Sequence, residues 1–199
     1  MNNVEKQYEY VRKVAVEKGF VQTERILPYV VGKHEGTFRD GDGKIPYVYH
    51  PLTMARHAIA LNFYDDDILS TALLHDVCED CGVAVEDLPV SERVRHSVAL
   101  LTKKPGFVKS LDNDAYYSAI AEDEIATYVK ILDRCNNISS MADGFTPKKM
   151  KKYANETEQY VYPLIDQALQ NFPEIETQLF LIRYHMESLL NCIHKVVEV

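Results

Sequence analysis

The chain has 199 residues, of which 46% are hydrophobic and 26% are charged, and its formal net charge is −8. This composition is typical of a globular protein and excludes collagenous and low-complexity chains. A chain of this length buries roughly 70% of its unfolded surface, which is enough for one hydrophobic core without disulfide bonds or a structural metal. The acidic balance argues against a nucleic-acid binder that depends on a general basic surface.

Membrane and export signals are missing from the sequence. No run approaches the ~20 apolar residues that span a bilayer, and the N-terminal MNNVEKQYEYVRK has no apolar signal region. The cysteines are too few and too scattered for a disulfide framework (Cys78, Cys81, Cys135 and Cys192). We therefore expect a cytoplasmic protein with reduced thiols and no membrane or nucleic-acid partner. Cys78 and Cys81 form a CxxC, which we interpret as packing thiols because no second pair accompanies it.

Apolar residues recur every three or four positions over most of the chain, which predicts helices at residues 66–77, 122–141, 147–170 and from 174 onward. Acids at residues 65–67 favour a helix start there, and Thr146-Pro147 is a cap followed by a first-turn proline. Turn formers predict loops at 39–44, 103–106 and 142–146. Strand signals are few. We expect an all-α protein with a single domain over residues 1–199.

The segment at residues 72–80 carries the most informative polar residues. A helix buried on its leucine side would expose four of them on its opposite flank: His75, Asp76, Glu79 and Asp80. A solvated helix end would explain such a group by itself, but two further features suggest chemistry. His50 stands at the start of a helix opened by Pro51, and Asp133 interrupts an apolar helix, where a carboxylate needs a partner such as a metal.

Two histidines and two carboxylates form a candidate ligand set: His50, His75, Asp76 and Asp133. Mixed imidazole and carboxylate ligation suits manganese, iron or zinc and leaves positions for water. Carboxylates beside such a metal could accept a proton from that water. Breaking a phosphoester would also require positive charge near the substrate, which Lys33, His34, Arg39 and Arg134 could supply.

Four segments in order resemble the hydrolase domain of RelA/SpoT proteins, which are HD phosphohydrolases: KIPYVYHPL, ALLHDVCED, VKILDRCNN and ANETEQYVYPL. The resemblance covers about residues 31–164, and C-terminal helices follow at 165–199. It implies a single HD-type helical bundle. No synthetase or regulatory region follows, so we expect a stand-alone small alarmone hydrolase.

The resemblance also implies roles for individual residues. The four candidate ligands would hold one divalent ion, usually manganese in this family. Glu79 and Asp80 match the acidic pair that positions or deprotonates the attacking water. The nucleotide would be contacted by residues on both halves of the chain: Arg39, Lys33, His34, Asn137, Ser140, Arg134 and Tyr160. The implied reaction removes the 3′-pyrophosphate of ppGpp or pppGpp, which leaves GDP or GTP.

Two departures from the family pattern leave the substrate open. Asp40 stands where the family usually has a basic residue, and Ser139 stands where many relatives carry arginine. Both changes remove positive charge near the expected nucleotide. An adenosine alarmone or another phosphorylated nucleotide is therefore an alternative substrate. A catalytically silent nucleotide-binding module is a third hypothesis, and the amphipathic C-terminal helix could serve in a homodimer.

Overall fold

The computed structural model describes residues 3–39, 41 and 44–197. The chain divides into two compact units, residues 1–39 with 45–108 and residues 40–44 with 109–199. Within the described ranges the elements are helical, apart from one isolated bridge between Phe38 and Pro46. The all-α prediction is confirmed, whereas a single domain over residues 1–199 stays a prediction. None of the helices in these ranges is both long enough and apolar enough to cross a membrane.

The first unit is built from α-helices that surround a buried central one. They are α1 (Asn3–Lys18), α2 (Val21–Lys33), α3 (Tyr49–Ala60), α4 (Asp66–Leu74), α5 (Val77–Cys81) and α6 (Glu92–Leu101). The central helix, α4, contacts α2, α3 and α6, and every residue from 68 to 74 is buried. A short 3₁₀ turn at Val85–Asp87 precedes α6.

The acidic start of α4 holds two helices in place. The Asp65 carboxylate accepts hydrogen bonds from the backbone N–H groups of Asp67 and Ile68, which caps α4. The Asp66 carboxylate accepts bonds from the backbone N–H groups of Gln22 and Thr23, at 2.9 and 2.8 Å. Those donors belong to the first turn of α2, so one acidic run satisfies the open amides of two helices. These hydrogen bonds fix the N-terminal end of α4, and His75 follows its C-terminal end.

The helix predicted for residues 66–77 is wrong at its C-terminal end. α4 stops at Leu74, and α5 starts only at Val77. Asp76 adopts φ −104° and ψ −8°, a bridge conformation that interrupts the helical ladder. The prediction that His75 lies on an exposed flank is also wrong, because His75 is buried. Gly82, with φ 64°, ends α5 in the left-handed conformation that glycine adopts without strain.

The second unit is also built from α-helices around a buried one. They are α7 (Lys109–Ala121), α8 (Glu124–Ser140), α9 (Pro147–Glu156), α10 (Tyr162–Asn171) and α11 (Glu176–Val197). The central helix, α8, is buried from residue 125 to residue 135 and contacts α7, α10 and α11. The Asp123 side chain caps its first turn by accepting from the Ala126 N–H. Short 3₁₀ turns occur at Met141–Asp143 and Pro173–Ile175.

The predicted helix over residues 147–170 is present with one interruption. Thr146 caps α9 by accepting from the Lys149 N–H, as its position before Pro147 predicts. A π-helical turn at Thr157–Val161 then separates α9 from α10. Pro163 lacks an N–H for the helical ladder, and a widened turn just before it accommodates that loss. On α11, Phe180 and Tyr184 are exposed, and homodimerisation through this helix stays a prediction.

Candidate metal centre

Three predicted ligands meet in the first unit. One ligand atom from each of His50, His75 and Asp76 lies within 4.8 Å of the other two. His50 is in the first turn of α3, while His75 and Asp76 occupy the break between α4 and α5. The interruption between α4 and α5 therefore brings the consecutive His75 and Asp76 side chains together.

The orientation of His75 suits metal binding. Its Nδ1 lies 2.9 Å from the carbonyl oxygen of Ala72. Because a carbonyl oxygen is only a hydrogen-bond acceptor, Nδ1 must be the donor in this bond. A neutral His75 that keeps its hydrogen on Nδ1 offers a lone pair at Nε2. Nε2 lies 2.8 Å from Asp76 Oδ2, and His50 Nε2 lies 3.7 Å from the same oxygen. Two imidazole nitrogens converging on a carboxylate fit a divalent cation of the manganese, iron or zinc type.

Tyr47 joins this cluster, a contact that sequence reasoning missed. Its hydroxyl donates a 2.6 Å hydrogen bond to Asp76 Oδ2, and its ring stacks on His34 at 4.8 Å between centroids. Burial, followed by the charges of Asp76 and Asp80, raises the pKa of Tyr47 far above its ordinary value. The phenol therefore stays protonated and can act only as a donor toward these carboxylates. Its place three residues before His50 is the one signal that could have indicated it.

The two predicted acidic residues on α5 have different neighbours. Desolvation and then the charge of Asp76 raise the pKa of Asp80, while a hydrogen bond with Tyr47 opposes that shift. Glu79 turns toward the loop after α6, where its Oε2 accepts from the Lys103 N–H at 3.1 Å. The charge of Asp80 thus acts on Tyr47, whereas Glu79 binds a backbone amide. Their catalytic roles stay predictions.

Of the other predicted residues of the first unit, His34 and Arg39 contact the ring of Tyr47, and Lys33 lies beside Tyr29. His34 is buried, and desolvation lowers its pKa, so its imidazole is neutral at pH 7. Its Nδ1 lies 3.6 Å from the Cys81 sulfur. Arg39 places its guanidinium 5.9 Å from the centre of the Tyr47 ring. Lys33 is exposed, and its Nζ lies 5.3 Å from the Tyr29 ring centre.

Asp133, the remaining predicted ligand, lies on α8 in the second unit. Lys130 donates to its Oδ2 at 3.1 Å, and Asn137 donates to its Oδ1 at 2.6 Å. Burial alone would lower the pKa of Lys130, but Tyr116 and Asp133 raise it well above its ordinary value. Lys130 therefore keeps its positive charge beside Asp133. Asp133 as a fourth metal ligand rests on the resemblance and stays a prediction.

Arg134 has partners inside the second unit. Its Nη2 donates to Glu156 Oε1 at 2.7 Å and to the Tyr117 hydroxyl at 3.1 Å. Its guanidinium is buried, and its charge, with that of Lys109, holds the pKa of Glu156 below its ordinary value despite burial. The structure gives Arg134 a structural ion pair, and its predicted contact with the nucleotide is untested.

The last predicted nucleotide contacts also lie in the second unit. Tyr160 stacks on Tyr117 at 5.0 Å between centroids and lines a pocket of about 270 Å³. Ser140 donates to the Asn136 carbonyl at 3.1 Å. Ser139 donates to the Cys135 carbonyl and lies 3.0 Å from His185 Nε2. Asp40, the other departure from the family pattern, lies outside the described residues.

Comparison with known proteins gives related sequences and a related fold. No protein-family model matches this chain. It is 32% identical over 147 residues to the guanosine-3′,5′-bis(diphosphate) 3′-pyrophosphohydrolase of Vibrio cholerae, a match that covers 68% of this chain and 20% of that protein. It is also 32% identical over 133 residues to a probable GTP pyrophosphokinase of Mycobacterium leprae, covering 63% of this chain and 16% of that protein.

A solved structure extends the likeness to three dimensions. It belongs to a metazoan ortholog of SpoT that hydrolyses ppGpp, and it matches with a TM-score of 0.68 at 19% identity. The match covers 85% of this chain and 94% of that one. The predicted resemblance to SpoT-type hydrolases is confirmed. Because this chain spans 20% of the Vibrio protein and 16% of the Mycobacterium protein, their activities describe those proteins and are proposals for this one.

Proposed function

We propose that this chain is a metal-dependent hydrolase that removes the 3′-pyrophosphate of guanosine alarmones. The observation that carries the proposal is the convergence of His50, His75 and Asp76 in a chain similar to a ppGpp 3′-pyrophosphohydrolase. The metal would be held by these three residues, with Asp133 as the fourth ligand that the resemblance implies. Manganese is the proposed ion, and zinc and iron suit the same donors. We place the activity in the cytoplasm.

The reaction requires a water, a phosphorus and a leaving oxygen. The water oxygen bonds to the phosphorus attached at O3′, the P–O3′ bond breaks, and O3′ takes a proton, which yields GDP and pyrophosphate from ppGpp. A bound divalent ion lowers the pKa of water and stabilises charge on phosphate oxygens. Asp80, with its raised pKa, suits the task of accepting the proton that the water loses.

Positioning of the substrate falls to the groups around the cluster. Arg39 and Lys33 carry positive charge on the first unit and would bind phosphate oxygens, since a guanidinium can contact two of them at once. Asn137, Ser140, Arg134 and Tyr160 on the second unit are proposed contacts by resemblance. Glu79 would hold the loop at Lys103 in place through the hydrogen bond to its amide.

A product assay tests the proposal. Metal-stripped protein is resupplied with manganese and given ppGpp or the corresponding adenosine tetraphosphate, and the nucleotide products and pyrophosphate are quantified. We expect GDP and pyrophosphate in equal amounts from ppGpp. A marked preference for the adenosine compound would replace guanosine in the proposal. Bound manganese and nucleotide without product over hours would instead indicate a binding module.

A further inference from the structure

The ring of Tyr47 is held by three neighbours in the first unit. His34 stacks against it at 4.8 Å, the Arg39 guanidinium lies 5.9 Å from its centre, and His50 meets it edge-on at 6.0 Å. A ring with this many contacts has little rotational freedom, so the position of its hydroxyl is well defined. The side chain is built to place one O–H group.

That O–H group donates to one carboxylate and lies in the field of a second. Its hydrogen bond to Asp76 Oδ2 is 2.6 Å long, and the charge of Asp80 also acts on it. Asp76 is one of the three clustered metal ligands, whereas Asp80 is the carboxylate that we propose as proton acceptor. A tyrosine carries one hydroxyl hydrogen, so this donor is committed to Asp76. The hydroxyl therefore couples the metal ligand to the charge of the proton acceptor.

We propose that Tyr47 is a positioning residue, whose hydroxyl fixes the Asp76 carboxylate for metal binding and couples it to the charge of Asp80. Groups that hydrogen-bond to a metal ligand orient it, and their removal typically lowers metal affinity or activity about 10- to 100-fold. The part of this inference that concerns turnover rests on the proposed function. The part that concerns metal affinity needs only the histidine and aspartate cluster.

The alternative is that Tyr47 serves only as packing. Tyr47→Phe separates the two, because phenylalanine keeps the ring contacts with His34 and Arg39 and removes only the donor. Tyr49→Phe is the matched control, since Tyr49 lies two residues away and is also partly buried. Circular dichroism and thermal unfolding without metal check that both variants are folded.

Manganese affinity is measured first, by electron paramagnetic resonance and calorimetry on metal-stripped protein without nucleotide. We expect Y47F to bind manganese about tenfold more weakly than wild type, and Y49F to bind it equally well. Equal affinity in Y47F and wild type would overturn the proposal. This outcome is independent of substrate, so failure of wild type to hydrolyse ppGpp would sink the proposed function and leave this test intact.

The link to Asp80 is tested by a double-mutant cycle with Y47F, D80N and the double variant. If Tyr47 acts through Asp80, the losses in kcat are non-additive and the double variant is no slower than D80N by more than about twofold. Fully additive losses, with KM also raised, would contradict the link. If Y47F does not fold, a ring-fluorinated tyrosine at position 47 keeps the hydroxyl. Its fluorine NMR signal should shift in D80N and in manganese, and an unmoved signal would contradict the proposal.

Discussion

Asp76 in the first unit and Asp133 in the second are both carboxylates beside helices, yet their oxygens face different chemistry. Asp76 Oδ2 lies 2.6 Å from a tyrosine hydroxyl and 2.8 Å from an imidazole nitrogen. Asp133 accepts from an ammonium at 3.1 Å and from an amide at 2.6 Å. The charge of Asp133 is balanced by Lys130, whereas the imidazoles beside Asp76 can offer lone pairs to a cation.

Asp133 is therefore paired with a cationic side chain of the protein, whereas Asp76 lies among side chains that could bind a metal ion. Removing one partner of a buried ion pair destabilises the fold, because the other charge is then buried without compensation. A carboxylate among ligand atoms contributes most when a metal is bound. Asp133 can still serve both tasks, because a carboxylate offers about four lone-pair sites to its partners. The same Asp→Asn substitution should therefore reduce mainly metal binding at Asp76 and mainly the free energy of unfolding at Asp133.

The largest expected effect is on metal binding and turnover at Asp76. Asp76→Asn removes an anionic ligand and should lower pyrophosphate release by roughly a thousandfold or more, with manganese binding lost. The free energy of unfolding without metal should change by less than about 1 kcal/mol, because Tyr47 can donate to the asparagine oxygen. Calorimetry with manganese and urea unfolding measure the two quantities. Retained turnover in D76N, or in H75A, would remove both residues from the site.

Asp133→Asn should instead act on stability. It leaves the buried ammonium of Lys130 without its carboxylate, and breaking such a pair costs about 3 kcal/mol. Urea unfolding in the absence of metal gives the value. The control is D166N, the same substitution at a surface pair with Arg183, which should cost less than about 1 kcal/mol. Equal stabilities of D133N and D166N would break the comparison, and the manganese affinity of D133N separately tests the predicted fourth ligand.

The helices were predictable because their signals are local. Thr146 before Pro147, and the acids at 65–67, act within one turn of the helix they start. The stop after Leu74 has no such signal, since neither glycine nor proline marks residues 74–77. The bond from His75 to the Ala72 carbonyl and the convergence on His50 accompany that stop, and tertiary contacts override propensity there.

The candidate site was predictable as a set of residue types but not as a set of contacts. Residue types and the family resemblance predicted the ligand set of His50, His75, Asp76 and Asp133, and the structure brings the first three together. The bond from Tyr47 to Asp76 joins residues 29 positions apart, and the pair of Arg134 with Glu156 joins residues 22 apart. An arginine in a list of basic residues looks the same whether it faces a phosphate or a buried glutamate. Only the fold distinguishes the two.

The buried ion pair between Glu156 and Arg134 should make the stability of the second unit depend on pH. Arg134 and Lys109 hold its pKa below the usual 4.5 despite burial. Its stabilising contribution is therefore complete above that pH and is lost as the pH falls through the lowered pKa. Glu156→Gln should cost about 2 kcal/mol at pH 7, since glutamine still accepts one bond from Arg134. In acid unfolding below pH 4.5, the stability of E156Q should fall less steeply than that of wild type. The control is Glu158→Gln, at an exposed pair with His194, and its pH dependence should match wild type.

The smallest expected effect concerns the thiols, which range from buried Cys78 and Cys135 through half-buried Cys81 to exposed Cys192. Burial raises the pKa of Cys78 and of Cys81 in the first unit, and it raises the pKa of Cys135 to about 12 in the second. Cys192 is exposed on α11. Since the thiolate is the reactive form, an aromatic disulfide reagent at pH 8 should modify Cys192 at least about tenfold faster than the other three. Cys192→Ser should remove the fast phase. A fast phase that persists in C192S and is lost in C81S would show that the CxxC beside His34 is reactive, and packing would no longer suffice to explain it.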